Sequence, residues 1–251
     1  MKILFSPSET KTFLATHAPI NEQSFIFSSL YHKRLEVIDN YETLIAHASK
    51  EELQKLFGIK NSSQYELFSS YLNEKNLQEL STCKAIMRYD GVAYQHLAYS
   101  ALPFDAQTWI DNQVMIFSNL FGPLLAKDLI PFYKLQQGES IGGFKPEIFY
   151  KQHFSSSIDT WLHNEIVLDL RAGFYEKFYT LKQPSITMKF LKNGKVVSHF
   201  AKAYRGKIVR EVALKQPTTQ EEFAKISFDG IQINEIKIKG LKYEYVYDIL
   251  D

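Results

Sequence analysis

Apolar and polar positions recur with two different periods along this chain, and each period predicts its own kind of element. Between residues 28 and 48, apolar side chains such as Leu35 and Ile38 recur at helical spacing, which predicts one long helix. Residues 231–239 alternate between isoleucine and polar residues, apart from the polar pair Asn234-Glu235, which predicts a half-buried strand. A turn at Gly240 leads into a second alternating run, so an antiparallel hairpin is predicted there.

The rest of the pattern predicts alternating strands and helices. Buried strands are predicted at 2–5, 84–87, 114–117 and 165–170, and further helices at 50–57, 64–71, 74–80, 106–112, 147–164, 201–214 and 220–224. Residues 118–138 are rich in breakers, so short helical turns and loops are expected there. No Gly/Ser/Pro-rich linker divides the chain. We therefore predict the fold class α/β (α+β), as a single domain over residues 1–251, with a mixed β-sheet flanked by helices and a basic cleft.

The segment 177–210 concentrates positive charge. It contains nine lysines and arginines and no Asp or Glu, although the whole chain carries a formal net charge of only +1. Two β-prone runs, 185–192 and 195–200, flank Asn193-Gly194, which suits a type I′ turn and predicts a hairpin. The helix predicted after this hairpin contains Gly206, which leaves its continuity open.

Two interpretations of this basic segment compete. It can bind phosphate, nucleic acid or an anionic substrate. Alternatively, its lysines are a solvated surface that keeps the protein soluble and protects strand edges from unwanted pairing. Both interpretations stay open for the lysines of the hairpin. For Lys202, Arg205 and Arg210 a binding role is our working hypothesis, which rests partly on the resemblance given below.

Polar residues follow three of the predicted strands. Lys11 lies in a loop after the first strand, where hydroxyl and ammonium groups can meet an anion beyond the strand's carboxyl end. Asp90 is a candidate acid/base or ligand-orienting group, and Tyr94 a candidate stacking or hydroxyl-donor group, with simple turn chemistry as the alternative. Asp169 is a second acid/base candidate, and an ion pair with Arg171 or with a lysine is its default interpretation.

The turn between the helices at 50–57 and 64–71 offers another candidate phosphate contact. Gly58 and Lys60 lie in a segment that resembles half of a helix-hairpin-helix element, which presents backbone amides and a lysine to nucleic-acid phosphate. The segment has one glycine where that motif usually has two. Ordinary packing between two helices is the alternative.

Several classes of protein are disfavoured by composition and spacing. Cys83 is the only cysteine, which excludes an internal disulfide and fits a reducing compartment, and buried packing is its expected role. The seven histidines are scattered and no metal-ligand spacing occurs, so neither a metal nor a cofactor is predicted. No secretory signal and no apolar run near the ~20 residues of a membrane span occur, so a cytoplasmic protein without a membrane partner is expected.

Five stretches together resemble the YaaA family of bacterial peroxide stress resistance proteins, in matching order and over nearly the whole chain. They are Ile3–Ser8, Tyr89–Tyr94, Ser118–Leu135, Asp169–Tyr175 and Ala201–Arg210. The early lysine that follows the Ser-Pro opening in the family is replaced here by Glu9, with Lys11 two places on. The Ser118–Leu135 run carries the most telling match, although its proline is displaced.

The resemblance implies a cytoplasmic role in the response to hydrogen peroxide, including limitation of free intracellular iron and therefore of Fenton damage. It also implies binding to DNA through a positive cleft with a helix-hairpin-helix element.

Together these expectations define one hypothesis and one alternative. We expect a cleft lined by Lys11, Asp90, Tyr94, Lys134, Arg171, Lys202, Arg205 and Arg210. In the first hypothesis the cleft binds duplex or distorted DNA, and the protein is a monomer. In the alternative the same cleft is the active site of an enzyme for a small anionic or nucleobase-containing ligand, with Asp90 or Asp169 as the acid/base group.

Overall fold

A mixed β-sheet forms the centre of the molecule, in a computed structural model that describes residues 1–73 and 76–250. The strands are β1 (Lys2–Phe5), β2 (Thr82–Lys84), β3 (Val114–Ser118), β4 (Gly122–Leu125), β5 (Leu129–Pro131), β6 (Val167–Asp169), β7 (Ser185–Lys192), β8 (Lys195–Val196), β9 (Ile231–Lys239) and β10 (Lys242–Ile249). The helices are α1 (Tyr31–His47), α2 (Lys50–Phe57), α3 (Ser62–Asn73), α4 (Ala85–Arg88), α5 (Val92–Leu97), α6 (Phe104–Gln113), α7 (Pro146–Leu162), α8 (Ser198–Lys215) and α9 (Gln220–Ala224).

The order of strands in the large sheet is β4-β3-β1-β6-β7-β10-β9, and β8 pairs with the end of β7. The neighbours β3, β1, β6, β7 and β10 are parallel, whereas β4 and β9 are antiparallel edge strands. Strands β1 and β3 are almost entirely buried, as expected for parallel strands covered on both faces. The strands β2 and β5 form a separate antiparallel pair. The structure thus confirms the predicted α/β class with a mixed sheet.

The path of the chain reverses direction across the sheet next to β1. From β1 the chain leads to β3 on one side, and it then returns to β6 on the other side of β1. From β6 it continues away from β1 to β7. Loops that leave β1 and β6 therefore diverge, which opens a crevice at the carboxyl ends of these two strands, the usual ligand position in such sheets.

Local sequence signals account for several helix ends. Ser49 and Glu52 form a capping box at the start of α2, because each side chain accepts a hydrogen bond from the other residue's backbone. Gly58 ends α2 with φ +65°, a conformation that glycine adopts without strain. Thr219 caps α9 by accepting a hydrogen bond from the Glu222 amide.

Helix α8 packs unusually closely on α5, and a glycine makes this possible. A Cβ atom at Gly206 would lie only 1.9 Å from the carbonyl oxygen of Ala93 and 3.0 Å from the amide nitrogen of Leu97. Gly206 therefore does not interrupt α8, which runs unbroken from Ser198 to Lys215. Instead it lets the backbones of α8 and α5 come into direct contact. This contact fixes the position of α8 relative to the crevice.

Some predicted elements are wrong in the structure. The run 84–87 is not a strand, because β2 ends at Lys84 and α4 begins at Ala85. The breaker-rich segment 118–138 contains strands β4 and β5, where turns and loops were expected. Pro123 fits β4 because this strand lies at an edge of the sheet, where a missing amide hydrogen is tolerated.

Other predicted boundaries shift. The second run of the hairpin, 195–200, pairs only over Lys195–Val196, because the chain turns into α8 at Ser198. The helix predicted at 74–80 falls partly outside the described residues, and Leu77–Glu79 forms one turn of 3-10 helix. Strand β9 exists as predicted but is not half-buried, since every residue after Ile231 is exposed.

The single cysteine lies in the core. Cys83 belongs to β2 and its side chain is completely buried, as expected from the sequence. Burial raises the pKa of the Cys83 thiol, and the nearby positive charge of Arg88 offsets only part of this effect. Among the described residues, no helix is long and apolar enough to cross a membrane.

The close contact at Gly206 generates a stability prediction. We expect Gly206→Ala to destabilise the protein by about 1–3 kcal/mol, because the added methyl group collides with backbone that has no room to move. In an open helix the same change would be stabilising, so the sign of the effect is diagnostic. Urea unfolding of the variant and the parent measures it.

Gly173→Ala is the matched control for this experiment. A Cβ at Gly173 would meet no atom within 4 Å, so its effect should stay within about 0.5 kcal/mol. Equal stability of the Gly206 and Gly173 variants would show that α8 and α5 are not held at this distance.

Candidate functional site

A cavity of about 390 Å³ lies at the carboxyl ends of β1 and β6, where the strand order reverses. Three chain segments form its walls: the loop 5–10 after β1, the turn and helix at 90–95, and Ala172 with Tyr175 after β6. Helix α8 closes the fourth side with Lys202 and Arg205. We call this the switch cavity.

Hydrogen bonds fix the wall that Ser6 provides. The Ser6 carbonyl accepts a hydrogen bond of 2.8 Å from the Tyr94 hydroxyl, and its Oγ accepts one of 2.8 Å from the Ala172 amide. Ser6 thereby ties the loop after β1 both to α5 and to the loop after β6. The hydroxyl of Tyr94 is used within the protein, so Tyr94 contributes the face of its ring to the cavity wall.

A second set of contacts joins the same loop to Asp90. The Asp90 amide donates to the Thr10 carbonyl at 2.9 Å, and the Ser8 hydroxyl donates to the Asp90 carbonyl at 3.3 Å. Gly91 is required beside this contact, because a Cβ there would lie 2.2 Å from the Ser8 Oγ. The Asp90 carboxylate lies at the cavity and accepts one hydrogen bond, of 3.2 Å, from Gln95.

The positive charge in the switch cavity comes from α8. Lys202 and Arg205 are three residues apart, so they project from the same side of the helix. Within residues 1–73 and 76–250, neither side chain has a hydrogen-bonding or ion-pair partner. Burial lowers the pKa of Arg205, and the negative charge of nearby Asp169 partly offsets this. An arginine whose donors are unused inside a cavity is suited to bind an anion.

Asp169 and Arg171 lie behind this cavity as a buried ion pair. Arg171 donates through Nε to Asp169 Oδ1 at 2.9 Å and through Nη2 to Oδ2 at 2.8 Å. Its Nη1 donates to the carbonyls of Tyr175 and Tyr179 at 3.2 and 2.9 Å. The side chain is 1% exposed and four of its five N–H donors are used, so Arg171 anchors the loop after β6 and is not among the residues that line the cavity.

Lys11 lies beneath the loop after β1, with only 9% of the residue exposed. Its Nζ donates to the carbonyls of Ser8 and Glu9 at 3.1 and 3.4 Å and lies 4.4 Å from the centre of the Tyr133 ring. Burial lowers the pKa of Lys11 to about 7, and Glu9 offsets this only in part. The amine therefore changes charge near neutral pH.

A chain of buried hydroxyl groups surrounds this lysine. The hydroxyl of Tyr133 is 2.9 Å from that of Tyr89 and 2.9 Å from the Ser118 Oγ. These residues come from three separate segments of the chain. Their convergence on Lys11 has no local sequence signal, and the sequence analysis missed it.

A second cavity, of about 660 Å³, adjoins the switch cavity. Gly58, Lys60 and Lys134 line it, and Glu9 and Gln137 line both cavities. The Gln137 amide donates to the Glu9 Oε1 at 2.8 Å. This hydrogen bond stabilises the partition that Glu9 and Gln137 form between the two cavities. We call this second space the hairpin cavity, because α2 and the turn at Gly58 that leads to α3 form its outer wall.

Lys134 faces the hairpin cavity from the inner side. Its Nζ donates to the Glu9 carbonyl at 3.0 Å, the same oxygen that Lys11 approaches from beneath. Burial lowers the pKa of Lys134, and Glu9 partly offsets this. Opposite, Gly58 has no room for a Cβ, which would lie 2.2 Å from the side-chain oxygen of Gln136.

Arg210 lies elsewhere. Its Nη1 donates to the carbonyls of Leu97 and Ala98 at 3.1 and 3.3 Å, at the end of α5. There it donates to the carbonyl of Leu97, the last residue of α5, whereas the Ala98 carbonyl also accepts a hydrogen bond from the Ala101 amide. Arg210 does not line either cavity, so its predicted place in the cleft is wrong.

The predicted residues thus divide into four groups. Asp90, Tyr94, Lys202 and Arg205 line the switch cavity; Gly58, Lys60 and Lys134 line the hairpin cavity; Lys11, Asp169 and Arg171 lie beneath the walls; and Arg210 caps a helix. Glu9, Gln137 and Tyr175 also line the site and were not predicted to do so. No group of three metal-ligating side chains occurs in the described part of the chain.

These features define an α/β protein with a cavity at the point where its strand order reverses, lined by Lys202 and Arg205 and also by the acids Glu9 and Asp90. The family model described as "Peroxide stress protein YaaA" matches residues 1–237. The chain belongs to this family, and with it to the proteins of the peroxide stress response.

Curated relatives match over nearly their whole length. An uncharacterized protein of Campylobacter jejuni subsp. jejuni is 49% identical over 251 residues, covering 100% of both chains. A UPF0246 protein of Corynebacterium glutamicum (strain R) is 32% identical, covering 90% of this chain and 91% of its own. A UPF0246 protein of Fusobacterium nucleatum is 28% identical, covering 94% of each chain.

The burial of Lys11 predicts a specific pH dependence of stability. An exposed lysine in the unfolded chain titrates near 10.4, whereas Lys11 in the folded chain has a pKa of about 7. Between these values the unfolded chain binds the extra proton, so the contribution of Lys11 to stability rises with pH from about 7 to 10. Below pH 7 both states are protonated, and the contribution is constant.

The Lys11→Met variant isolates this effect, because methionine keeps the apolar stem and removes the amine. Urea unfolding of both proteins between pH 6 and 9.5 should show the difference in unfolding free energy, parent minus variant, rising above pH 7. The slope should be at most about 1.4 kcal/mol per pH unit. Parallel curves for the two proteins would contradict the burial of a titrating amine.

Proposed function

We propose that this protein limits peroxide damage by binding DNA along the groove that the switch cavity and the hairpin cavity form together. Protection against Fenton chemistry would follow from shielding or sensing DNA at the place where iron and peroxide react. A wider role in limiting free iron rests on the family resemblance alone.

The observation that supports this proposal is the adjacency of two cavities that each have at least two positive side chains in their walls, beside the acids Glu9, Asp90 and Glu139. They share Glu9 and Gln137, and positive side chains line both: Lys202 and Arg205 in one, Lys134 and Lys60 in the other. A DNA strand that crosses from one cavity to the other would contact positively charged side chains in both. Phosphate neutralisation by such groups supplies most of the sequence-independent affinity of a DNA-binding protein.

The sizes of the two spaces favour distorted DNA over a regular duplex. A volume of about 390 Å³ is typical of a small-ligand pocket and can accept a nucleotide, but not a section of duplex. The turn at Gly58 supports the backbone of the strand from outside, as a helix-hairpin-helix element would. An unpaired or displaced strand therefore fits this groove best.

A small anionic or nucleobase-containing substrate is the second candidate ligand. Two observations favour it: the unpartnered Arg205 in a cavity of suitable size, and the neighbouring Asp90 carboxylate as an acid/base group. Asp169 is less suited to proton transfer, because Arg171 binds both of its carboxylate oxygens.

The dependence of DNA binding on salt tests the first candidate. We compare the parent with a variant in which Lys60, Lys134, Lys202 and Arg205 are all changed to Ala. Each lost phosphate contact should reduce the slope of log K against log salt by about 0.9. Fluorescence anisotropy with a bubble-containing duplex and a regular duplex, from 50 to 300 mM salt, measures this slope.

The matched control removes the same charge elsewhere, by changing the exposed Lys127, Lys151, Lys215 and Lys225 to Ala. This control should keep the slope of the parent. Equal slopes for the parent and the cavity variant, or no binding by the parent, would refute DNA binding in this groove.

A thermal-shift screen tests the second candidate. Nucleotides and phosphorylated metabolites are added to the parent and to Arg205→Leu, which keeps bulk and removes the charge. A true ligand at 100 times its Kd should stabilise the parent by about 2.7 kcal/mol, and should stabilise the variant much less. A screen with no stabilising compound, or one that stabilises both proteins equally, would contradict it.

A further inference from the structure

The isoleucines of β9 form an uncovered apolar stripe at the edge of the large sheet. Among the strands of the described residues, β9 pairs with β10 and with no other. Its residues Ile233, Ile236 and Ile238 are 44%, 47% and 69% exposed. The sequence predicts a half-buried strand here, and no part of residues 1–73 and 76–250 covers these isoleucines fully.

The pairing register shows that these isoleucines lie on one face. Ile238, Ile236 and Ile233 are opposite Tyr243, Tyr245 and Tyr247 of β10, with a bulge between Ile233 and Ile236. Directly opposite residues in a sheet share a face. On β10 that face is covered, since Tyr245 and Tyr247 are buried and pack against Phe223 and Phe228. The cover ends before it reaches β9.

We propose that a second copy of this chain covers the stripe, by pairing its own β9 antiparallel to this one about a two-fold axis at Ile236. The two large sheets would then continue into one another. An unpaired strand edge offers free amide and carbonyl groups for such pairing, and an isologous contact closes without leaving a further edge. This proposal departs from the monomer expected from the sequence.

The charges on the other face of β9 select both the partner and the register. With Ile236 opposite its own copy, Glu235 of each chain lies opposite Lys237 of the other. Within one chain Glu235 and Lys237 already form an ion pair of 2.6 Å, so the dimer would join two such pairs into one network of four charges. Opposite charges stabilise a cross-strand pair. Shifting the axis to Lys237 would also form two opposite-charge pairs, between Glu235 and Lys239, but it would place two lysines opposite each other at the axis, which is unfavourable. The register centred on Ile236 forms its two opposite-charge pairs without a like-charge pair at the axis.

The apolar face agrees with the same register. The two copies of Ile236 meet at the axis, and the flanking isoleucines of both strands extend the contact along the stripe. A two-fold axis perpendicular to the sheet keeps the same face uppermost in both copies, so the two stripes become neighbours. Because the contact consists of one strand edge and one narrow stripe, we expect a reversible dimer whose population depends on concentration.

Analytical ultracentrifugation from 1 to 200 µM tests the proposal with a charge-swap cycle. Lys237→Glu places two pairs of glutamates opposite each other and should weaken dimerisation at least tenfold. Glu235→Lys places two pairs of lysines opposite each other and should do the same. The double variant Glu235→Lys/Lys237→Glu restores opposite charges and should recover the dimerisation constant of the parent within about threefold.

Ile236→Lys is the second arm of the experiment, because it brings two lysines together at the axis and should abolish the dimer. Residues 235, 236 and 237 are all exposed, so circular dichroism should show unchanged folding in each variant. A parent that stays monomeric at 200 µM would overturn the proposal. A dimer that is insensitive to Ile236→Lys, or a double variant that fails to recover, would show that another face or register is used.

Discussion

The backbone contact between α8 and α5 at Gly206 is the constraint on which the site depends. Lys202 and Arg205 reach the switch cavity only because α8 lies against Ala93 with no side chain between the helices. The residue before this glycine is the cavity arginine itself. Gly206, where the two helices pack most closely, and Arg205, which lines the cavity, are thus adjacent in sequence. A substitution that pushes the helices apart at Gly206 would therefore also move Arg205.

The three cations Arg171, Arg205 and Lys11 have different roles because they differ in burial and in the partners that replace water. Arg171 is buried but has a carboxylate and two carbonyls for its donors, so it acts as a fixed anchor. Arg205 is partly buried, without such partners, and keeps its donors for a ligand. Lys11 is buried among carbonyls and aromatic rings without a carboxylate in contact, so its proton is held weakly. One loop and one helix therefore combine a permanent cation with a titrating one.

Much of the architecture could be predicted because the spacing of apolar residues within each segment indicates its secondary structure. The helix at α1, the buried strands β1 and β3 and the terminal hairpin all carry their own pattern. Strands β4 and β5 carry no such pattern: Gly122 and Pro123 hide the signal of β4, although it pairs with the adjacent β3, and β5 pairs with β2, which is distant in sequence. The site divides in the same way. Helical spacing separates Arg205 from Arg210, five residues on, but it cannot say which of the two faces the cavity.

The buried thiol of Cys83 has a consequence for a protein that works in the presence of hydrogen peroxide. Peroxide oxidises thiolates in preference to thiols, and a buried cysteine with a raised pKa offers it neither access nor the anionic form. The chain has no other cysteine. It can therefore remain in contact with the oxidant without forming sulfenic acid or cross-linking to another chain, and it needs no reductase to restore it afterwards.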